Sequence, residues 1–150
     1  MEQEEQRKAF EDYSFEITDK LFKTFGGKLD QMPEKEQEVV RIWRLEADMY
    51  NGGFIQYFCN WGYDNFLSTR DILQRLNANK SLDIITECEN LLALVIDDKR
   101  LTTLWDIPRY LGDYLTPEQE ARLEKLDQLY WENPDDIQLL AYHYYLQSHV

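Results

Sequence analysis

Basic residues are scarce in this chain of 150 residues: 16 lysines and arginines face 29 aspartates and glutamates, for a formal charge of −13. Scattered pairs such as Arg7-Lys8 and Lys99-Arg100 cannot neutralise many phosphates against so large an opposing charge, which disfavours direct nucleic-acid binding. An anionic membrane surface is disfavoured on the same ground. No run approaches the ~18 apolar residues of a membrane span. The first residues, Met1-Glu2-Gln3-Glu4-Glu5, are acidic where a signal peptide is basic, so a cytoplasmic protein is expected. Cysteine is limited to Cys59 and Cys88, each in an apolar segment and outside any Cys-x-x-Cys pair, and both read as buried free thiols.

Catalytic patterns are also missing. There is no Gly-x-Ser-x-Gly, no phosphate-cradling Gly-x-x-x-x-Gly-Lys and no His-Glu-x-x-His. His143 and His149 are the only histidines, and a spacing of six puts them on different helix faces. His143, beside Tyr142, Tyr144 and Tyr145, reads as a packing or surface residue. No Glu-x-x-His pair of the di-metal helical proteins occurs, and Asp97-Asp98 and Asp135-Asp136 lack the spacing and glycine of a calcium loop. A non-enzyme without cofactor or metal is expected.

What the chain has is helical periodicity and material for a core: 43% hydrophobic and 14% aromatic residues, enough for one domain spanning residues 1–150. Phe10, Tyr13, Ile17, Leu21 and Phe25 form a stripe that Gly26-Gly27 ends. Pro33, followed by Glu34 and Glu36, opens a second helix with Val39, Val40, Trp43, Ala47 and Tyr50 on its inner side. A short apolar segment from Phe54 to Trp61 stops at Gly62. Ser68 with Asp71 looks like a capping box, and Ser81 like the cap of the next helix, with Leu82, Ile85, Cys88, Leu92 and Val95 inward. Pro108 and Gly112 predict short helical turns between Leu101 and Tyr114. Thr116-Pro117-Glu118-Gln119 is a strong helix start, and Asn133-Pro134-Asp135-Asp136 repeats its logic for the last helix. No hairpin signal separates alternating runs. The expected fold is an all-α, compact single-domain bundle of about six to eight helices.

The acids fall in rows. At ~100° per residue, Glu5, Asp12, Glu16 and Asp19 share one stripe opposite Phe10, Tyr13 and Ile17, with Lys8, Lys20 and Lys23 nearby. Glu120, Glu124 and Asp127 make a second row, opposite Leu123, Leu126, Leu129 and Tyr130. Trp131 projects with these acids, either as an interface anchor or folded against the Asn133-Pro134 turn. Four carboxylates over ~21 Å of helix are sparser than duplex DNA, with about one charge per ~1.7 Å. Mimicry of DNA therefore needs adjacent rows or a dimer, and a plain solvated face is the alternative.

The most distinctive stretch is Asn51-Gly52-Gly53-Phe54-Ile55-Gln56-Tyr57-Phe58-Cys59-Asn60-Trp61-Gly62. Gly52 and Gly53 permit a sharp turn between helices, Phe54, Tyr57 and Phe58 can pack inward, and Asn51, Gln56 and Asn60 can satisfy backbone groups at the turn. It reads as a structural corner or as a ligand pocket. With Asp48 three positions before Asn51, the stretch resembles the signature of the bacterial DNA-mimic protein family, small helical proteins mostly of unassigned role. Glutamate is commoner at the acid position there, so Asp48 is a departure. The resemblance covers about residues 35–145. It implies a dimer whose acidic surface occupies the DNA-binding face of a helix-turn-helix regulator.

Three functions fit these features. The first is an acidic protein-binding regulator, acting as a DNA mimic on a basic DNA-binding protein. The second is an immunity- or antitoxin-type inhibitor of a basic nuclease or toxin. The third is a small-molecule binder or enzyme using the Asn51–Asn60 corner.

Overall fold

The second helix is the hub of the molecule. In the computed structural model, which describes residues 1–147, it runs Glu34–Asn51 (α2) and packs against three partners. These are α1 (Gln3–Lys23), α3 (Phe54–Arg75) and α6 (Pro117–Trp131). Helix α4 (Asn79–Ile96) bridges α3 and α6, α5 (Ile107–Tyr114) lies on α4, and α7 (Ile137–Ala141) returns to α1. A π-helical turn at Tyr142–Leu146 follows α7. The described residues contain no strand, so the all-α expectation holds. His149 lies outside them.

Helix α1 keeps its predicted stripe, with Phe10, Ile17 and Leu21 buried and Tyr13 and Phe25 half-buried against the core. Gly26 and Gly27 take φ of +59° and +82°, and the Gly27 N–H returns to the Leu21 carbonyl at 2.9 Å. That is the glycine stop expected of a left-handed helix exit. Cys59 and Cys88 are buried free thiols.

The inner face of α2 begins as expected, with Val39 and Val40 buried, and differs further along. Trp43 is half-buried, and Ala47 and Tyr50 are exposed; Ile42, Leu45, Glu46 and Met49 go inside. Both sets have helical spacing, one position apart, which is a rotation of ~100°. The true face contains a glutamate, and a reading that follows apolar residues alone passes over it.

Three predicted helix starts move, and at two of them a tertiary contact takes the place of the expected local cap. Gly62 (φ +83°, ψ −175°) leaves helical geometry and stops the Phe54–Trp61 segment as expected, but the second half of α3 resumes directly after this kink, so Ser68 and Asp71 lie inside it rather than at a cap. Ser81 is the third residue of α4, and its own N–H is capped by Asp135 Oδ2 at 2.6 Å, from 54 residues away. The last helix begins at Ile137, not at Pro134. Asn133 and Asp136 take left-handed φ of +54° and +55°, and Asp136 grips the Arg7 guanidinium of α1. By contrast, the Thr116 box forms as expected, with Gln119 N–H on Thr116 Oγ1 at 3.1 Å and Thr116 N–H on Gln119 Oε1 at 2.9 Å.

A buried polar chain ties α2 to α3. Arg41 and Arg44 both donate to Asn65 Oδ1, at 2.7 and 3.2 Å; Asn65 Nδ2 donates to the Tyr57 hydroxyl, which donates to Thr69 Oγ1. Each polar atom taken from water on this path gains a partner, as burial requires.

Candidate partner-binding surface

Helix α6 places its leucines on the core and its acids outside. Leu123 and Leu126 are buried, while Glu120 and Glu124 are exposed and Asp127 is half-buried. The three carboxylates line one cleft of about 400 Å³ between α6, the first turn of α3 and α5. Its floor is apolar, built from Ile55, Leu111, Pro117 and Leu123. Among the described residues no lysine or arginine forms an ion pair with Glu120, Glu124 or Asp127; Arg122, on the same helix, turns to Glu87 at 2.6 Å. An apolar floor under unpaired carboxylates suits a lysine or arginine, whose stem packs while its head stays charged.

Asp127 has a second occupation. Its Oδ1 accepts the Phe54 N–H at 2.9 Å, capping the start of α3. Desolvation pushes its carboxyl up from the ordinary aspartate range, and the Phe54 N–H opposes that rise. Trp131 lies half-exposed with its indole N–H on the Met49 carbonyl at 2.6 Å, so it closes the last turn of α2 rather than the Asn133-Pro134 turn.

The α1 row is displayed differently. Glu5, Asp12, Glu16 and Asp19 are all exposed, but Lys8 pairs with Asp12 at 3.3 Å and Lys23 with Asp19 at 2.9 Å. No α1 residue lines the α6 cleft, so the two rows are separate features. Sequence reasoning missed Phe15 and Phe22, exposed on α1 at a seven-residue spacing among those acids. The available signal was that both aromatics fall outside the apolar stripe.

The glycine-rich corner satisfies itself. Asp48 accepts from Gln56 Nε2 (2.8 Å), Asn60 Nδ2 (3.2 Å) and Trp61 Nε1 (2.6 Å). Asn51 Nδ2 reaches Gln56 Oε1 at 3.3 Å, and Asn60 Oδ1 accepts the Trp105 indole N–H at 3.0 Å. A Cβ on Gly52 would stand 2.0 Å from Gln56 Oε1. On Gly53, at φ +94°, it would stand 2.2 Å from Asp127 Oδ2. Phe54, Tyr57 and Phe58 are buried, with the Phe54 ring 5.9 Å from Phe58 and 6.0 Å from Phe66. Trp61, outside the expected set, is covered by the Arg44 guanidinium 4.0 Å from its ring. With these polar groups spent on one another, the corner works as a joint between α2, α3 and α6.

No group of three or more metal-ligating side chains occurs among the described residues. No helix among them is long and apolar enough to cross a membrane. A family model described as DMP19-like protein matches residues 30–149. No curated protein and no solved structure matches the chain.

Proposed function

The chain belongs to the DMP19-like protein family, and we propose that it is an acidic protein-binding regulator that acts as a DNA mimic, occupying the DNA-binding surface of a basic transcription regulator. The observation that carries this reading is the α6 cleft, where Glu120, Glu124 and Asp127 stand above an apolar floor with no ion pair among the described residues. The charge of −13 adds a long-range field that attracts a cationic partner and speeds encounter. One row cannot reproduce the charge density of a duplex, so the reading includes a second copy of the chain or the α1 row as further negative surface. Glu5 and Glu16 are the members of that row without an ion pair among the described residues.

Gel-shift competition tests the proposal. The protein should release helix-turn-helix regulators from labelled DNA at low salt and lose that effect as salt rises. Regulators that all stay on their DNA at low salt would overturn it. Rescue of cells from a co-expressed basic nuclease would instead point to the inhibitor reading.

A further inference from the structure

A second cleft, of about 330 Å³, lies where α1 crosses α2, away from the α6 acids. Its walls are apolar and mostly aromatic: Phe10 and Phe15 from α1, and Ile42, Trp43 and Tyr50 from α2. Glu46 also lines it, although that residue is only 7% exposed. The Tyr130 hydroxyl donates to Glu46 Oε2 at 2.5 Å, while Oε1 takes no hydrogen bond among the described residues. No lysine or arginine among them forms an ion pair with Glu46. Gln138, from α7, lines the same cleft and keeps its Oε1 buried without a donor. The ionised form of a buried carboxyl with a free oxygen and no cation is costly, so the group either keeps a proton or pairs with a cation from outside.

We propose that this cleft binds a small organic ammonium ion, its apolar body against Phe15, Trp43 and Tyr50 and its N–H groups on Glu46. Three features select that chemistry. The aromatic faces attract a cation. Glu46 supplies one unused acceptor, Gln138 a second, and an ammonium head carries three donors. The volume is near the lower end for small-molecule sites, which fits a compact aryl- or alkylammonium. Glu11, on the α1 wall, adds negative charge at the same cleft. The site is independent of the partner-binding reading and would stand if that reading failed.

Binding should be coupled to proton release. Desolvation pushes the Glu46 carboxyl up to about 7, the Tyr130 hydrogen bond opposes the rise and Asp136 adds to it. The other groups facing it are Tyr50 of α2 and Glu11 of α1, and Asp136 is itself held by Arg7. An ammonium guest favours the ionised carboxylate, so affinity should rise roughly tenfold between about pH 6 and about pH 8.

The test is calorimetric titration of the full chain with phenethylammonium, with neutral 2-phenylethanol as the isosteric control. Saturable binding of the ammonium, at least tenfold tighter than the alcohol at about pH 8, with roughly half a proton released at about pH 7, is the expected result. Glu46→Gln, which keeps an oxygen for Tyr130, should abolish the preference for the ammonium and the pH dependence. Should that variant fail to fold, Ala47→Trp, which fills the cleft from its exposed edge, should block binding. Equal affinity for amine and alcohol, no saturable binding of the amine, or unchanged selectivity in either variant would overturn the proposal.

Discussion

Asp127 Oδ2 occupies the space into which a side chain on Gly53 would grow: a Cβ there would lie 2.2 Å away. The same carboxylate takes the Phe54 N–H through Oδ1 at 2.9 Å. A residue of α6 therefore caps α3, across 73 positions of sequence, and the absence of a side chain at Gly53 is what lets it approach.

Gly53→Ala should destabilise the protein by roughly 2–3 kcal/mol, since the left-handed φ of +94° adds strain to the collision. Asp127→Ala should cost about 1 kcal/mol for the lost cap. In the double variant the Gly53→Ala penalty should shrink, because the obstacle is gone. Urea unfolding of the four proteins measures the coupling, and simple additivity would show that the two residues do not interact.

Charge reversal separates the roles of the α6 acids. Glu120→Lys with Glu124→Lys should abolish partner binding at unchanged helicity, since both side chains are exposed and neither caps anything. Asp127→Lys should lower the melting temperature as well, because Phe54 loses its acceptor. Binding measured beside circular dichroism distinguishes these outcomes, and unaltered affinity in the first variant would exclude this row as the interface.

Glu46 predicts a pH dependence of stability. Its carboxyl is raised in the folded state to about 7 from an ordinary value of 4.5, so the folded protein holds the proton more tightly than the unfolded chain. Stability from this group is full below the unfolded value and falls as pH rises through that window, by up to ~3 kcal/mol. Thermal melts across the window should show Glu46→Gln with a flatter profile than the parent. Parallel profiles would mean that the carboxyl is not held in this way.

Asp135→Ala should free the first turn of α4, whose Ser81 N–H it caps at 2.6 Å. The expected cost is about 1 kcal/mol. Hydrogen exchange should quicken at Ser81 and its neighbours while the interior of α6 keeps its protection. No local change would show that the carboxylate is replaceable by water.

Much of the helix inventory was legible because it depends on local rules. The α1 stripe, the Gly26-Gly27 stop and the Thr116-Gln119 box all act within a few residues. The starts at Ser68, Ser81 and Asn133 were each judged by near neighbours, whereas the helix around Ser68 is already under way after the Gly62 kink and the other two depend on ion or hydrogen-bond partners far along the chain. The acid rows were visible as periodicity. That Glu120, Glu124 and Asp127 share a cleft with Ile55 and Leu111 was not, because those two come from other helices.

Periodicity and composition alone set the helical class, the apolar stripe of α1 and the excess of negative charge, since each is a property of residue types at fixed spacing. Tertiary structure decided which acids stand free, which are tied to lysines and which, like Asp127 and Asp135, cap a remote helix. It also decided that Glu46 goes inside and that the glycine corner closes on itself. Pairing, burial and close approach depend on distances between segments far apart in the chain, and those distances exist only once the helices have packed.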